Sequence, residues 1–248
     1  MSRWKAAAIH FSISLAVLLT IASAMAATWF PPLLAWADGL LGIIGILYAV
    51  DVSVGPLLTW VVFKTGKPSL KFDLSVIVLL QVLGLGYGLH ILYEARLVYV
   101  VFVVDSFHPV RAVDIPPENW EKAVKNRYGT LPLSGPETVA VDMPKDAAKK
   151  LDLSLKALSG GADVQQYPEY YQPYAQASRD VLARALPLKK LIDRDEPTRA
   201  KLADWLARQK REAPSVKYVP LYAKKHDLTV LVDGGTAEIL DTLAIDPS

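Results

Sequence analysis

Three long apolar stretches in the first 95 residues constrain this chain more than any other feature. No Asp, Glu, Lys or Arg lies between Lys5 and Asp38, only Asp51 lies between Asp38 and Lys64, and none lies between Asp73 and Glu94. At a helical rise of about 1.5 Å per residue, residues 7–29, 40–63 and 74–93 can each cross a hydrocarbon core of about 30 Å. The missing charges are elsewhere: residues 1–95 hold five Lys/Arg and four Asp/Glu, whereas residues 96–248 hold 22 and 21. The expected organisation is a transmembrane anchor over residues 1–95 and a water-soluble domain over residues 96–248.

Orientation follows from the cations flanking the spans. Arg3 and Lys5 precede the first, Lys64, Lys67 and Lys71 fill the loop between the second and third, and the loop over residues 30–39 has none. The positive-inside rule puts the N-terminus and the second loop in the cytoplasm, so three spans export everything after Tyr93. In a Gram-negative cell this means an inner-membrane protein with a periplasmic domain. Ala22-Ser23-Ala24 and Ala24-Met25-Ala26 also resemble signal-peptide cleavage sites. The apolar run is longer than most signal cores and continues into Trp29-Phe30-Pro31-Pro32, which favours a retained span.

Asp51 falls about midway along the second span, where an ionised Asp costs roughly 2.5–3.5 kcal/mol. Gly55 and Pro56 follow within five residues, so the helix loses a backbone hydrogen bond there and carbonyl groups come free beside the carboxyl group. Three readings are open: a bond inside the chain to Gln81, near the middle of the third span; a site for a partner; or a proton or ion path, for which a single carboxyl group makes a poor relay. Gln81, Gly84 and Gly88 share one face of the third span, the glycines forming a GxxxG pair suited to close helix packing.

The exported part reads as an α+β domain with a mainly antiparallel sheet. Leu97–Val104 is a buried strand ended by Asp105-Ser106-Phe107-His108-Pro109, a helix is expected over Trp120–Tyr128, and Thr138–Val141 is a second strand. Asp146 caps a helix running to Leu158, with Ala147, Leu151, Leu155 and Leu158 along one apolar stripe. Tyr167, Tyr170, Tyr171 and Tyr174 crowd one loop; helices are expected over Ala175–Ala185 and Pro197–Arg211, and three final strands over Val216–Tyr222, Leu228–Val232 and Ala237–Leu243.

Several function classes are disfavoured. A net charge of +2 offers no basic field for nucleic acid. There are no cysteines, and His10, His90, His108 and His226 form no pair at metal-ligand spacing. Phosphate loops, nucleophile elbows and HExxH are missing, so no catalytic residue, metal or cofactor is expected.

Asp51-x-x-x-Gly55-Pro56-Leu57-Leu58, Phe63-Lys64-x-Gly66-Lys67, Asp73-Leu74, Gln81, Tyr87-Gly88 and Arg96-x-Val98-Tyr99-x-Val101-Phe102-x-Val104-Asp105-x-Phe107 together resemble the type IV pilin accessory proteins of the TfpX/TfpZ (FimB-like) group. The resemblance covers roughly residues 40–114, with Leu97 and Ser106 where the family commonly has a proline and a basic residue. It implies a non-enzymatic, chaperone-like inner-membrane protein that binds the major pilin through its transmembrane helix and its periplasmic head. Partner-binding positions would then be Asp51, Gly55, Pro56, Gln81, Gly84, Gly88, Arg96, Asp105 and Phe107, with the lipid bilayer as the other partner. The competing readings are a membrane-anchored periplasmic sensor or ligand-binding protein, and a small membrane enzyme or transporter using Asp51.

Overall fold

Apolar side chains on every face, with few breakers, make long helices the stable form of the N-terminal third in lipid, where every backbone polar group needs an internal partner. Four helices form: α1 (Arg3–Thr28), the short α2 (Pro32–Ala37), α3 (Leu40–Val62) and α4 (Leu70–Glu94). Ser2 caps α1 by accepting from the Lys5 amide, and the left-handed Gly39 (φ 78°) turns the chain into α3. Helices α1, α3 and α4 are long and apolar enough to cross a membrane. Leu19, Ile46 and Leu83 are 58%, 70% and 61% exposed, as side chains that face lipid would be.

The protein is described by a computed structural model covering residues 1–124 and 126–248. It divides into two units: Met1–Pro32 with Gly39–Arg96, and Leu33–Asp38 with Leu97–Ser248. In the helical unit α3 packs against both α1 and α4, whereas α1 and α4 have little contact with each other.

The second unit is built on eight strands: β1 (Leu97–Val103), β2 (Ser106–Arg111), β3 (Glu137–Val141), β4 (Tyr171–Pro173), β5 (Leu186–Pro187), β6 (Val216–Leu221), β7 (Leu228–Asp233) and β8 (Ile239–Leu243). Their order is β4-β3-β1-β2-β6-β7-β8, with β5 on β6. Pairs β1·β3 and β2·β6 are parallel, so the sheet is mixed rather than mainly antiparallel. The reason is connectivity. After the β1–β2 hairpin, the chain crosses through α5 (Pro117–Ala123) and re-enters on the far side of β1 in the same direction. Helices α6 (Ala147–Leu158), α7 (Ser178–Arg184), α8 (Lys189–Ile192) and α9 (Glu196–Gln209) then carry it back to the open side of β2.

All of Leu97–Phe102 is buried, as the unbroken apolar run requires of a strand covered on both faces. Val100 and Phe102 join Phe107, Leu221 and Leu228 in one core cluster; Val98, Tyr99 and Val101 join Val139, Tyr128 and Tyr171 in another. A register shift between Leu97 and Tyr99 accounts for two successive residues entering the same cluster. A third cluster, with Trp205 and Tyr218 at its centre, lies under α8 and α9. Of the tyrosine loop, Tyr167 and Tyr171 are buried and Tyr174 donates to the Ala237 carbonyl at 2.7 Å, so these rings serve the domain's own core.

Four further sequence expectations change. The segment over Asp105–Pro109 is the turn and start of β2, not a terminator. The helix expected over Trp120–Tyr128 forms earlier, as α5, with residue 125 of that stretch outside the described residues. The stripe of α6 faces outward: Leu151, Leu155 and Leu158 are 59%, 55% and 85% exposed, and Leu153 on the opposite side is the buried one. The loop over residues 30–39 contains α2, whose Leu33, Leu34 and Ala37 join the first core cluster. The Ala37 carbonyl accepts from the Lys225 and His226 amides at 2.9 and 3.0 Å, and the Trp36 ring stacks on His226 at 4.2 Å. Beside them the buried Asp38 carboxylate is 3.4 Å from Arg111 Nε, and Arg111 also pairs with Asp114. Burial pushes the Asp38 carboxyl up to about 6, against the opposing pull of Arg111 and with a smaller push from Asp114.

Candidate functional site

Four polar residues of the helical unit, His10, Asp51, Thr59 and Gln81, converge on one place, and Gly55 makes room for it. A Cβ at Gly55 would lie 2.0 Å from Gln81 Nε2, so the Gln81 side chain crosses α3 only because that position is glycine. Its amide donates to the Asp51 backbone carbonyl at 3.2 Å, and its Oε1 is 2.6 Å from His10 Nε2. His10 Nδ1 is 2.6 Å from Thr59 Oγ1. One cluster thus links α1, α3 and α4.

The Asp51–Gln81 pairing is therefore backbone to side chain. Asp51 Oδ2 is buried without a hydrogen-bond partner among the described residues. Pro56, one turn on, is buried within α3.

A cavity of about 380 Å³ opens over this cluster. Its walls come from α1 and α4 and its floor from α3; Asp51, His10, Thr59 and Gln81 line it together with apolar residues such as Ile13 and Val78. Met1, Phe63 and Leu74 stand at one end, and Leu18, Asp51 and Leu85 at the other. From Phe63 back to Asp51 is twelve residues, or about 18 Å of helix. The cavity thus follows half the length of a span.

The remaining predicted positions are dispersed. Gly88 packs on α3, since a Cβ there would meet Leu47 at 2.2 Å, whereas Gly84 has nothing within 4 Å of where its Cβ would be. Arg96 is buried at the end of α4, donating to the Tyr93 carbonyl at 2.6 Å with its guanidinium 3.8 Å above the Tyr93 ring. Asp105 is exposed in the β1–β2 turn and accepts from Ser106 Oγ. Phe107 is fully buried between Phe102 and Tyr174, which removes it from any surface a partner could touch.

Sequence reasoning passed over His10 and Thr59. The signal was present for His10, a titratable side chain inside a charge-free span, the same criterion that singled out Asp51.

Comparison with known proteins gives three relatives. The fimbrial assembly protein of serogroup I from Dichelobacter nodosus is 28% identical over 186 residues, covering 74% of this chain and 72% of its own. The serogroup E1 protein of the same organism matches to the same extent. The fimbrial assembly protein of serogroups C1 and C2 is 32% identical over 113 residues, 45% of this chain and 86% of its own. No family model matches the chain, and no solved structure does.

Proposed function

Because the chain belongs to the fimbrial assembly protein family, we propose that it is a chaperone-like accessory protein, of the TfpX/TfpZ kind, that binds a type IV pilin subunit during pilus assembly. The protein lies in the inner membrane with its N-terminus cytoplasmic and residues 97–248 periplasmic. The distribution of Lys and Arg supports that orientation. So does the grouping of Leu33–Asp38 with the C-terminal strands, since the first loop and the C-terminal domain then belong on one side of the membrane.

The observation that carries the proposal is the cavity of the helical unit, an apolar groove with a polar floor, bounded by two helices that the His10–Gln81 hydrogen bond joins. A visiting transmembrane helix is what such a groove accommodates: apolar side chains pack on its walls, and a polar group on the visitor meets Asp51. The groove lies between the first and third spans over the second, and Asp51 and Gln81 both face it.

The test is co-purification of the full chain with its fimbrial subunit from mild detergent. Asp51→Ala and Gln81→Leu should each lower recovery of the subunit with expression unchanged. If both variants retain it fully, binding does not pass through the bilayer cavity. If the wild-type chain recovers no subunit, the proposed function fails.

A further inference from the structure

The His10, Thr59 and Gln81 side chains in the cavity are joined in one hydrogen-bonded chain, and the Asp51 carboxyl group beside it is open. The Gln81 amide has one workable orientation, because reversing it would set its oxygen against the Asp51 carbonyl oxygen. With Oε1 thus facing His10, Nε2 of the ring must carry the hydrogen and donate. A neutral ring then accepts at Nδ1 from the Thr59 hydroxyl. The chain of donors runs in one direction, from Thr59 through His10 and Gln81 to the Asp51 carbonyl, and every link is occupied. The Asp51 carboxyl group is left over: the residue lines the cavity, and its Oδ2 is buried with no partner among the described residues.

We propose that this cavity selects a partner transmembrane helix carrying a hydrogen-bond donor, an ammonium or guanidinium group foremost, which docks on the half-buried Asp51 carboxyl group. The inference deepens the reading of the protein as a subunit-binding assembly factor, on which its choice of a membrane-spanning polypeptide rests. Charge complementarity sets the donor: a carboxylate at this depth is stabilised by a cation or by converging donors. Depth sets the carrier. Asp51 is about 18 Å along α3 from the cavity's outer end, below the level at which a lipid amine resides, and an acyl chain brings no donor. A helix satisfies its own backbone in lipid and can deliver one polar side chain to that depth.

The chain has no cysteine, so Leu83→Cys, on an exposed part of α4, takes a single donor fluorophore. The labelled full chain is reconstituted in lipid vesicles with acceptor-labelled Leu/Ala transmembrane peptides bearing one central guest, Lys, Ser, Leu or Glu, and association is read by energy transfer. The Lys peptide should bind at least tenfold tighter than the Leu peptide, Ser should fall between them, and Glu should bind no tighter than Leu. Asp51→Asn should abolish the Lys advantage with helicity unchanged, and Ile46→Val, on an exposed part of α3 away from the cavity, should leave the order intact. Equal binding of all four peptides, or a Lys preference that survives Asp51→Asn, overturns the inference. If the subunit still co-purifies with the wild-type chain in that case, the function stands and only the ligand chemistry is wrong. If the peptides discriminate but no subunit is recovered, the cavity chemistry stands and the proposed function is wrong.

Discussion

Gly55→Ala places a methyl group where the Gln81 amide now lies, 2.0 Å from Nε2 and 2.7 Å from Oε1. The amide has to leave, and with it go the bond to the Asp51 carbonyl and the bond to His10. Side-chain hydrogen bonds between membrane helices average about 0.6 kcal/mol and reach about 1.7 kcal/mol, so the pair is worth about 1–3 kcal/mol. The cost should appear only while Gln81 is present. In a Gln81→Ala background there is no amide to displace, and the effect of the methyl group on α3 itself is common to both backgrounds and cancels in the cycle. The assay is SDS-titrated unfolding of the full chain in mixed micelles, followed by energy transfer between labels at Leu19→Cys and Leu83→Cys. A coupling energy of about 1–3 kcal/mol is expected; one below about 0.5 kcal/mol refutes the account of Gly55 as the space Gln81 needs.

Three further outcomes follow. Asp38 titrates at about 6 in the folded protein against an ordinary 3.8, so the folded state binds more protons between those values. Docking of Leu33–Asp38 is then strongest below about pH 4 and weakens by about 3 kcal/mol as pH rises through 6, read as hydrogen exchange of the Lys225 and His226 amides; in Asp38→Asn that pH dependence should vanish. Val104 holds φ 56°, a left-handed conformation that disfavours β-branched residues, so Val104→Gly should stabilise the domain by about 1 kcal/mol in urea unfolding monitored by near-ultraviolet circular dichroism. Leu155→Glu, on the exposed stripe of α6, should change stability by less than about 0.5 kcal/mol in the same experiment, and a loss above about 2 kcal/mol would mean the stripe is covered.

The helices of the membrane unit were legible because their signal is physical and repeated: expected spans 7–29, 40–63 and 74–93 appear as Arg3–Thr28, Leu40–Val62 and Leu70–Glu94. Strand β2 was not, because His108-Pro109 reads as a stop. Pro109 is tolerated as the partner of Val100 because β2 pairs with β6 only at Phe107, leaving no ladder hydrogen bond for Pro109 to supply on that side. The stripe of α6 has the period of a buried face, and periodicity alone does not tell which way an amphipathic helix is turned. At the candidate site, Asp51 and Gln81 announced themselves by polarity at depth. The role of Gly55 did not, since it depends on a side chain 26 residues further along the chain.

The placement of α2 has a consequence for biogenesis. Leu33, Leu34 and Ala37 complete a core whose other walls include Leu228 and Val230, made about 190 residues later. At roughly 5–20 residues per second, this greasy hexapeptide waits about 10–40 s after leaving the ribosome before its berth exists. A fragment beginning at Leu97 never receives it, and should emerge with an uncovered hole and a tendency to clump. The head is thus closed by a piece synthesised long before it, the first loop serving as the last brick.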